Sequence, residues 1–244
     1  MNDNLKRHIF FLDIFNTDTL NIFTDASIYK YPDGFTVSAP GCECVANDGE
    51  KNVLLDSCYD LNNLVYGSTN NDGEIRAIYL GVLYALKYKD YFKYINLFSD
   101  SNLCIQTLTN WIYTWCLSKD ANGIIYTGGG TPVMNQSVIV SIIDTIVHFG
   151  LSINFYHQKG HVNMSAASLQ KAYDDFIKTN KLQRYNVDRE FIKTISFHND
   201  SVDVKTKEML EHKKEVNIPV KRPIQFRFND TDMKQYKNLT KRRI

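Results

Sequence analysis

The chain has 244 residues with 28 Lys and Arg against 27 Asp and Glu, a formal net charge of +1, so no strong overall field draws it to an anionic partner and any basic surface is local. Hydrophobic residues make up 43% and charged residues 23%, which excludes a disordered or fibrous chain and predicts a packed core. No apolar run approaches a membrane span, residues 1–10 are too polar for a secretory signal, and the five cysteines (Cys42, Cys44, Cys58, Cys104, Cys116) lack a metal-binding spacing. We therefore expect no membrane association, a cytoplasmic location and reduced thiols.

Residues 1–18 form a lead-in without a clear pattern. Leu20 to Ser27 is the first strand, with strand formers up to Asp25. Ending a half-buried strand in an acid adds little stability, so this carboxylate points to a hard cation or to a proton that must move. Tyr31-Pro32-Asp33-Gly34 is a turn signal. Phe35 to Ala46 reads as a second strand, broken near Pro40-Gly41, and Lys51 to Tyr59 as a third. Three strands joined by turns make an antiparallel meander.

Next, Ser68 to Glu74 opens a helix whose apolar residues Ile75, Ile78, Tyr79, Val82, Leu83 and Leu86 recur at helical spacing. Glu74 lies one turn before Ile78 and can share the face that packs on the sheet. Tyr94 to Ser99 is a fourth strand that again ends in an acid, Asp100. A second helix spans Asn102 to Leu117 and carries Trp111 and Trp115. After a glycine-rich loop, a third helix covers Asn135 to Phe149 and a fifth strand Leu151 to His157. The loop Gln158 to Asn163 contains His161. Ala166 to Lys178 is helical, Thr179 to Asp188 reads as a polar linker, and a further helix is expected from Val202 to about Lys214. Residues 213–244 hold ten Lys or Arg against three acids by count; a mobile or extended basic tail is expected there. The order β-β-β-α-β-α-α-β-α predicts an α/β fold, a mixed sheet of five strands flanked by helices.

Four acids fall at comparable places: Asp25 and Asp100 after strands, Glu74 in the first turn of a helix, and Asp174 in the helix after the last strand. Crowded carboxylates repel and require cations. Oxygen ligands without Cys or paired His suit Mg²⁺ or Mn²⁺, and two such ions form a clamp for in-line phosphoryl transfer.

These residues carry a resemblance to ribonuclease H of the type 1 class. Asp25-Ala26-Ser27 is similar to the family's first-strand motif. Thr69-Asn70-Asn71-Asp72-Gly73-Glu74 resembles its Thr-Asn-Asn-x-x-Glu, and Asp100-Ser101 its Asp-Ser. Trp111 to Trp115, Pro132 to Asn135, Lys159-Gly160-His161 and Ala172-Tyr173-Asp174 resemble further motifs, all in the family's order. The resemblance covers residues 18–180. It implies a ribonuclease H-like domain over residues 19–180, followed by a partly helical extension (181–244) with the basic tail. A monomer is expected, although the sequence itself does not fix the oligomeric state.

It also implies a metal-dependent endonuclease that hydrolyses the RNA strand of an RNA–DNA hybrid, with two Mg²⁺ ions (Mn²⁺ able to substitute) held by Asp25, Glu74, Asp100 and Asp174. His161 would move protons or help product leave. Asn70, Asn71 and Asn102 would meet the hybrid's minor groove, Thr69 a phosphate, Ser101 would assist nearby, and Trp115 would meet the DNA strand. The fourth acid stays open. The family has an Asn four residues before its last Asp, whereas Gln170 stands four before Asp174. Asp175 and Asp203, the latter in Asn199-Asp200-Ser201-Val202-Asp203, are its rivals. The lysine-rich handle of many bacterial members is missing after Trp115, where Lys119 is almost alone.

Overall fold

The computed structural model describes residues 16–183, 187, 189–211 and 225–240. The lead-in up to residue 15 and the parts of the basic tail at 212–224 and 241–244 lie outside the described residues. Strands β1 (Thr19–Lys30), β2 (Thr36–Asn47) and β3 (Asn52–Cys58) make the expected antiparallel meander. β4 (Val65–Tyr66) is a two-residue addition that pairs with Val37 and Ser38 of β2. Helix α1 (Asn70–Tyr88) leads to β5 (Tyr94–Ser99), which runs parallel to β1. α2 (Asn102–Gln106) continues through a π-helical stretch (Thr107–Trp111) and another α turn (Ile112–Trp115). Then come α3 (Gln136–Phe149), β6 (Asn154–His157), α4 (Ala166–Thr179), α5 (Arg189–Glu211) and α6 (Asp230–Thr240).

The sheet order is β3-β2-β1-β5-β6, so β1 is central. A mixed sheet flanked by helices is the expected architecture; it has six strands rather than five because of β4. β2 is continuous through Pro40-Gly41 rather than broken. A side chain at Gly41 would stand 2.7 Å from Thr206 Cγ2 and from the Tyr59 ring, so glycine is required where α5 crosses the strand.

Residues Thr19 to Ser27 of β1 are all buried, as expected for a strand covered on both faces. Leu20 and Ile22 join Ile78, Val82, Leu97 and Ile142 in one core under α1, α2 and α3. Phe23 alternates to the other face, where it packs with Phe98, Tyr156, Phe176 and Phe191 under α4 and α5. On that second face the strands carry rows of like residues in register. Asn21, Asn96 and Asn154 form a buried amide ladder with 3.1 Å hydrogen bonds at each step. One tier along, Phe23 stacks on Phe98 at 5.0 Å and Phe98 on Tyr156 at 5.3 Å.

Three expectations after residue 178 differ from the structure. The polar linker contributes buried Leu182 and Val187 to the second core. α5 starts at Arg189, not Val202, because Phe191, Ile192, Ile195, Val202 and Met209 put a buried face along its whole length. The tail is not all extended: α6 buries Met233, Tyr236 and Thr240 against the first core. Its period was hidden by the surrounding lysines, which lie on the outer face.

Tyr236 is fully buried, and its hydroxyl donates to the Leu108 carbonyl at 3.0 Å, inside the π-helical stretch of α2. Tyr236→Phe removes this buried hydrogen bond and is expected to cost about 1 kcal/mol. Urea unfolding checks this; an unchanged midpoint would contradict the stapling of α6 onto α2.

Candidate metal centre

Parallel pairing sets Thr24 opposite Ser99, where the β1–β5 pairing stops, so the residues that follow, Asp25 in the middle of β1 and Asp100 just past the end of β5, are neighbours. Each lies two residues beyond the stacked Phe23 and Phe98, hence on the same face of the sheet. Glu74 reaches them from the first turn of α1. That turn begins where the Thr69 hydroxyl accepts a hydrogen bond from the Asp72 amide at 3.2 Å. The turn lies close on the sheet: a Cβ on Gly73 would come within 2.9 Å of the Ser38 Cβ and 3.1 Å of the Ala26 Cβ. The outcome is a group of three acids, Asp25, Glu74 and Asp100, each offering one oxygen within 4.8 Å of the others.

The electrostatics are unfavourable for three charges. Burial, then the Asp100 charge, pushes the Asp25 carboxyl up to about 7, although the Ala26 amide donates to its Oδ1 at 2.7 Å. Glu74 is held well above the ordinary carboxylate range by burial and then by Asp25 and Asp100. Asp100 is raised too, chiefly by burial. Glu74 Oε2 is buried with no hydrogen-bond partner. Gln158, which follows β6 on the same face as Tyr156, is 2% exposed with both side-chain polar atoms unpartnered. Unpaired oxygens among mutually repelling acids fit a hard divalent cation.

Among the other predicted residues, His161 lies in the loop beside Asp100, with a left-handed φ of 52° and an exposed ring. A side chain on Gly160 would collide with the Asp100 carboxylate, so the loop can close on the acid only through glycine. Thr69, Asn70, Asn71 and Asn102 are exposed beside the acids, and Ser101 caps α2 through the Cys104 amide at 3.4 Å. Thr69, Asn71 and Trp115 line one cleft of about 390 Å³ together with Trp111, Met134 and Asn135.

Asp174 does not join the triad. It is exposed on α4, where its Oδ1 accepts a hydrogen bond from Gln170 at 2.8 Å. The buried face of α4 is Ala172 and Phe176; a residue two away from each points outward. Asp175 is exposed as well. Asp203 is the acid whose charge reaches all three members, raising Asp25, Glu74 and Asp100. It lies on α5, with Lys207 Nζ at 2.6 Å and His161 Nδ1 at 3.8 Å. The signal in the sequence was Asn199, four residues before Asp203, the spacing that Gln170 fails to supply before Asp174.

Sequence reasoning also missed what fixes α5. Buried Glu43 of β2 accepts hydrogen bonds from Tyr59 at 2.9 Å and Ser201 at 2.8 Å, and His198 Nδ1 lies 3.7 Å away. Burial raises this carboxyl, but His198, Ser201 and Tyr59 outweigh it and hold Glu43 below the usual range. Ser27 and Thr206 add a 2.9 Å hydroxyl pair.

The family model described as RNase H matches residues 17–172. A ribonuclease H of Tropheryma whipplei (strain Twist) is 27% identical over 150 residues, covering 61% of this chain and 84% of that protein. Among solved structures, the PFV RNase H domain overlaps 67% of this chain and 94% of its own length at 17% identity, with a TM-score of 0.45. The foamy viral protease-reverse transcriptase in complex with RNA/DNA hybrid overlaps 67% of this chain at 13% identity and a TM-score of 0.46; this chain spans 20% of that one.

The raised acids give a pH prediction. A carboxyl whose pKa is raised on folding favours the folded state below the ordinary carboxylate value and loses that contribution as pH climbs through the folded value. For Asp25 the window runs from 3.8 to about 7. Metal-free wild type and Asp25→Asn should therefore melt alike near pH 4, with the variant more stable near pH 8. Mn²⁺ should raise the wild-type melting temperature near pH 8 much more than the variant's. Parallel melting curves across that range, with no response to Mn²⁺, would refute the crowded-acid account.

Proposed function

Because the chain belongs to the ribonuclease H family, whose model spans residues 17–172, we propose that it is a metal-dependent endonuclease hydrolysing the RNA strand of RNA–DNA hybrids. The observation that carries this reading is the convergence of buried Asp25 and Glu74 with half-buried Asp100, one oxygen each inside 4.8 Å. The fourth acid of the site is Asp203, not Asp174, and these four hold two Mg²⁺ ions, with Mn²⁺ as a substitute. Bound there, such ions supply an activated water and neutralise charge on the leaving oxygen, giving 5′-phosphate products.

The chain's own residues do the rest. Exposed Asn70, Asn71 and Asn102 stand beside the acids and suit the 2′-hydroxyls and base edges of a minor groove, by which RNA is told from DNA. Thr69, with its cap hydroxyl at the head of α1, takes a backbone phosphate, and Ser101 orients the turn after Asp100. Trp115 in the adjoining cleft offers a stacking surface to the DNA strand. His161, exposed on its glycine-preceded turn, exchanges protons with the departing product. Lys207, paired to Asp203, balances part of the acidic charge until metal is bound. Among the described residues no helix is long and apolar enough to cross a membrane. Five free cysteines agree with a reducing, cytoplasmic setting, and the chain acts as a monomer.

The test is a labelled hybrid incubated with Mg²⁺ beside duplex DNA of the same sequence. The hybrid should be cut and the DNA duplex left whole. Asp203→Asn should lower the rate by about a hundredfold or more, whereas Asp174→Asn should stay within about twofold of wild type. Cleavage of the DNA duplex instead would favour a related-fold DNA nuclease. An intact hybrid would reject the assignment, leaving a nucleic-acid-binding module with an idle site.

A further inference from the structure

A second cleft, of about 240 Å³, opens on the opposite side of α2 from the tryptophans. One wall is α2, through Gln106, Thr109, Asn110 and Tyr113; the other is built from Asn180, Lys181 and Lys237. Its floor is His157 at the end of edge strand β6, whose Nε2 lies 3.1 Å from the Asp100 carbonyl oxygen. The cleft is thus one side chain away from the acidic centre.

Its composition is unlike the surface around it. Two lysines, amides and hydroxyls line it, and among the described residues no carboxylate does. Asp175, whose charge reaches His157, is exposed on α4 outside the lining. The frame is held firmly. Asn180 is 1% exposed and clamps His157 from both sides: its Nδ2 donates to the His157 carbonyl at 2.6 Å and its Oδ1 accepts from the His157 amide at 3.0 Å. Lys181 follows with a left-handed φ of 57°, which turns the chain at the mouth of the cleft. Lys237 lies with its ammonium 5.2 Å from the centroid of the Tyr113 ring, and the Tyr113 hydroxyl pairs with Thr240 at 3.1 Å.

Two ammonium groups over neutral donors, in a space that takes a phosphodiester and part of its sugar, form an anion site. Lys181 and Lys237 both lie beyond residue 172, where the family match ends. We propose that this cleft binds a backbone phosphate of the nucleic-acid substrate next to the cleavage point, so that residues 180–181 and α6 supply the grip that the sparse segment after Trp115 lacks. This rests on the proposed hybrid substrate, and it adds a subsite made by this chain's own C-terminal segments.

The experiment measures binding of a labelled RNA–DNA hybrid with Ca²⁺ in place of Mg²⁺, between about 50 and 200 mM salt. It compares wild type with Lys181→Asn, which tolerates the left-handed backbone, with Lys237→Met, which keeps the stem on Tyr113, and with the double variant. Both lysines are exposed, so unchanged thermal melting is expected and confirms folding. Each substitution should lower the slope of log affinity against log salt by about one, and the double variant by about two. KM should rise about tenfold in the double variant while kcat at saturating hybrid stays within about twofold. In parallel, inorganic phosphate is titrated against the amide resonances of His157, Asn180 and Lys181, which should shift in wild type and not in the double variant.

Wild type that cuts hybrid, with slopes and KM unchanged in the variants, overturns the subsite and leaves the nuclease assignment standing. Wild type that binds hybrid through both lysines but never cuts it overturns the assignment and keeps the subsite. Phosphate shifts without any change of slope mean that the cleft takes a free anion, which also overturns the hybrid contact.

Discussion

Asp25 and Glu74 are buried beside half-buried Asp100, and all three carboxyls are pushed above their ordinary range, Asp25 by burial and then Asp100, Glu74 by burial and then both of the others, Asp100 chiefly by burial. Nothing in the backbone makes such a cluster cheap. One short amide bond from Ala26 to Asp25 is the main local compensation, while Glu74 Oε2 has none. The arrangement persists because the surrounding packing over-determines it. Asp25 and Asp100 are carried on paired parallel strands whose side chains stack immediately behind them, ring on ring at 5.0 Å. Glu74 is carried on a helix pressed against β1 and β2 at Gly73, where any side chain would collide. The two cores on either face of the sheet lock those supports, so the acids cannot relax apart without unpacking both.

The same logic extends to α5. A helix bearing Asp203 toward the acids is repelled by them, and its attachment has to come from elsewhere along its length. One turn away, Ser201 and His198 reach Glu43 on β2, and the His198 ring stacks on Phe23 at 4.9 Å. On the other side, Thr206 meets Ser27 and fits against Gly41. Glu43 is thus a buried carboxylate of the opposite kind from the triad: fully partnered, and stabilised in its charged form by its neighbours. Asp25 and Glu43, buried on one face of one sheet, shift in opposite directions because Glu43 has two hydroxyl donors and His198 beside it, whereas Asp25 has one amide donor and faces other acids.

Much of this was legible in the residues. The strand and helix order, and the meeting of Asp25, Glu74 and Asp100, follow from hydrophobic period and from acids placed directly after apolar strand stretches or near a helix head, although β1 runs on past Asp25 to Lys30. The position of Asp174, exposed and apart from the three acids, has a reason also present in the sequence. Ala172 and Phe176 are the buried pair of α4, which turns Asp174 outward however well its place in the chain order fits. The proximity of Asp203 to the acids was harder to reach, because helix α4 and the segment after it intervene between His161 and Asp203. Its nearest marker, Asn199, gains meaning only once α5 is seen to start at Arg189 and to present Asn199 and Asp203 on one face. Glu43 carried no local signal at all: its partners Tyr59, His198 and Ser201 are brought together by the tertiary fold alone. In α6 the buried residues Met233, Tyr236 and Thr240 are correctly spaced, but the polar residues between and around them, two lysines and two aspartates included, mask them.

α2 is where these additions converge on the substrate face. It is a wall between two clefts, one lined by Trp111 and Trp115 and the other by Gln106, Asn110 and Tyr113. A regular helix turns its successive faces at a constant rate, whereas the π-helical stretch at Thr107–Trp111 shifts the residues after it relative to those before it. That shift sets where Trp111, Tyr113 and Trp115 point. It occurs where Tyr236 of α6 hydrogen-bonds the Leu108 carbonyl, with the Tyr113–Thr240 pair beyond it. At the far end of α2, Lys119 donates to the Phe228 carbonyl at 2.9 Å and the Phe226 amide to Gly123 at 2.7 Å. The only lysine near the expected handle is therefore spent on holding the C-terminal segment rather than on reaching outward. With the helix anchored by residues 225–240, its two faces are fixed relative to the acids, and it is Lys237 of the anchoring segment, not Lys119, that lines a cleft beside it.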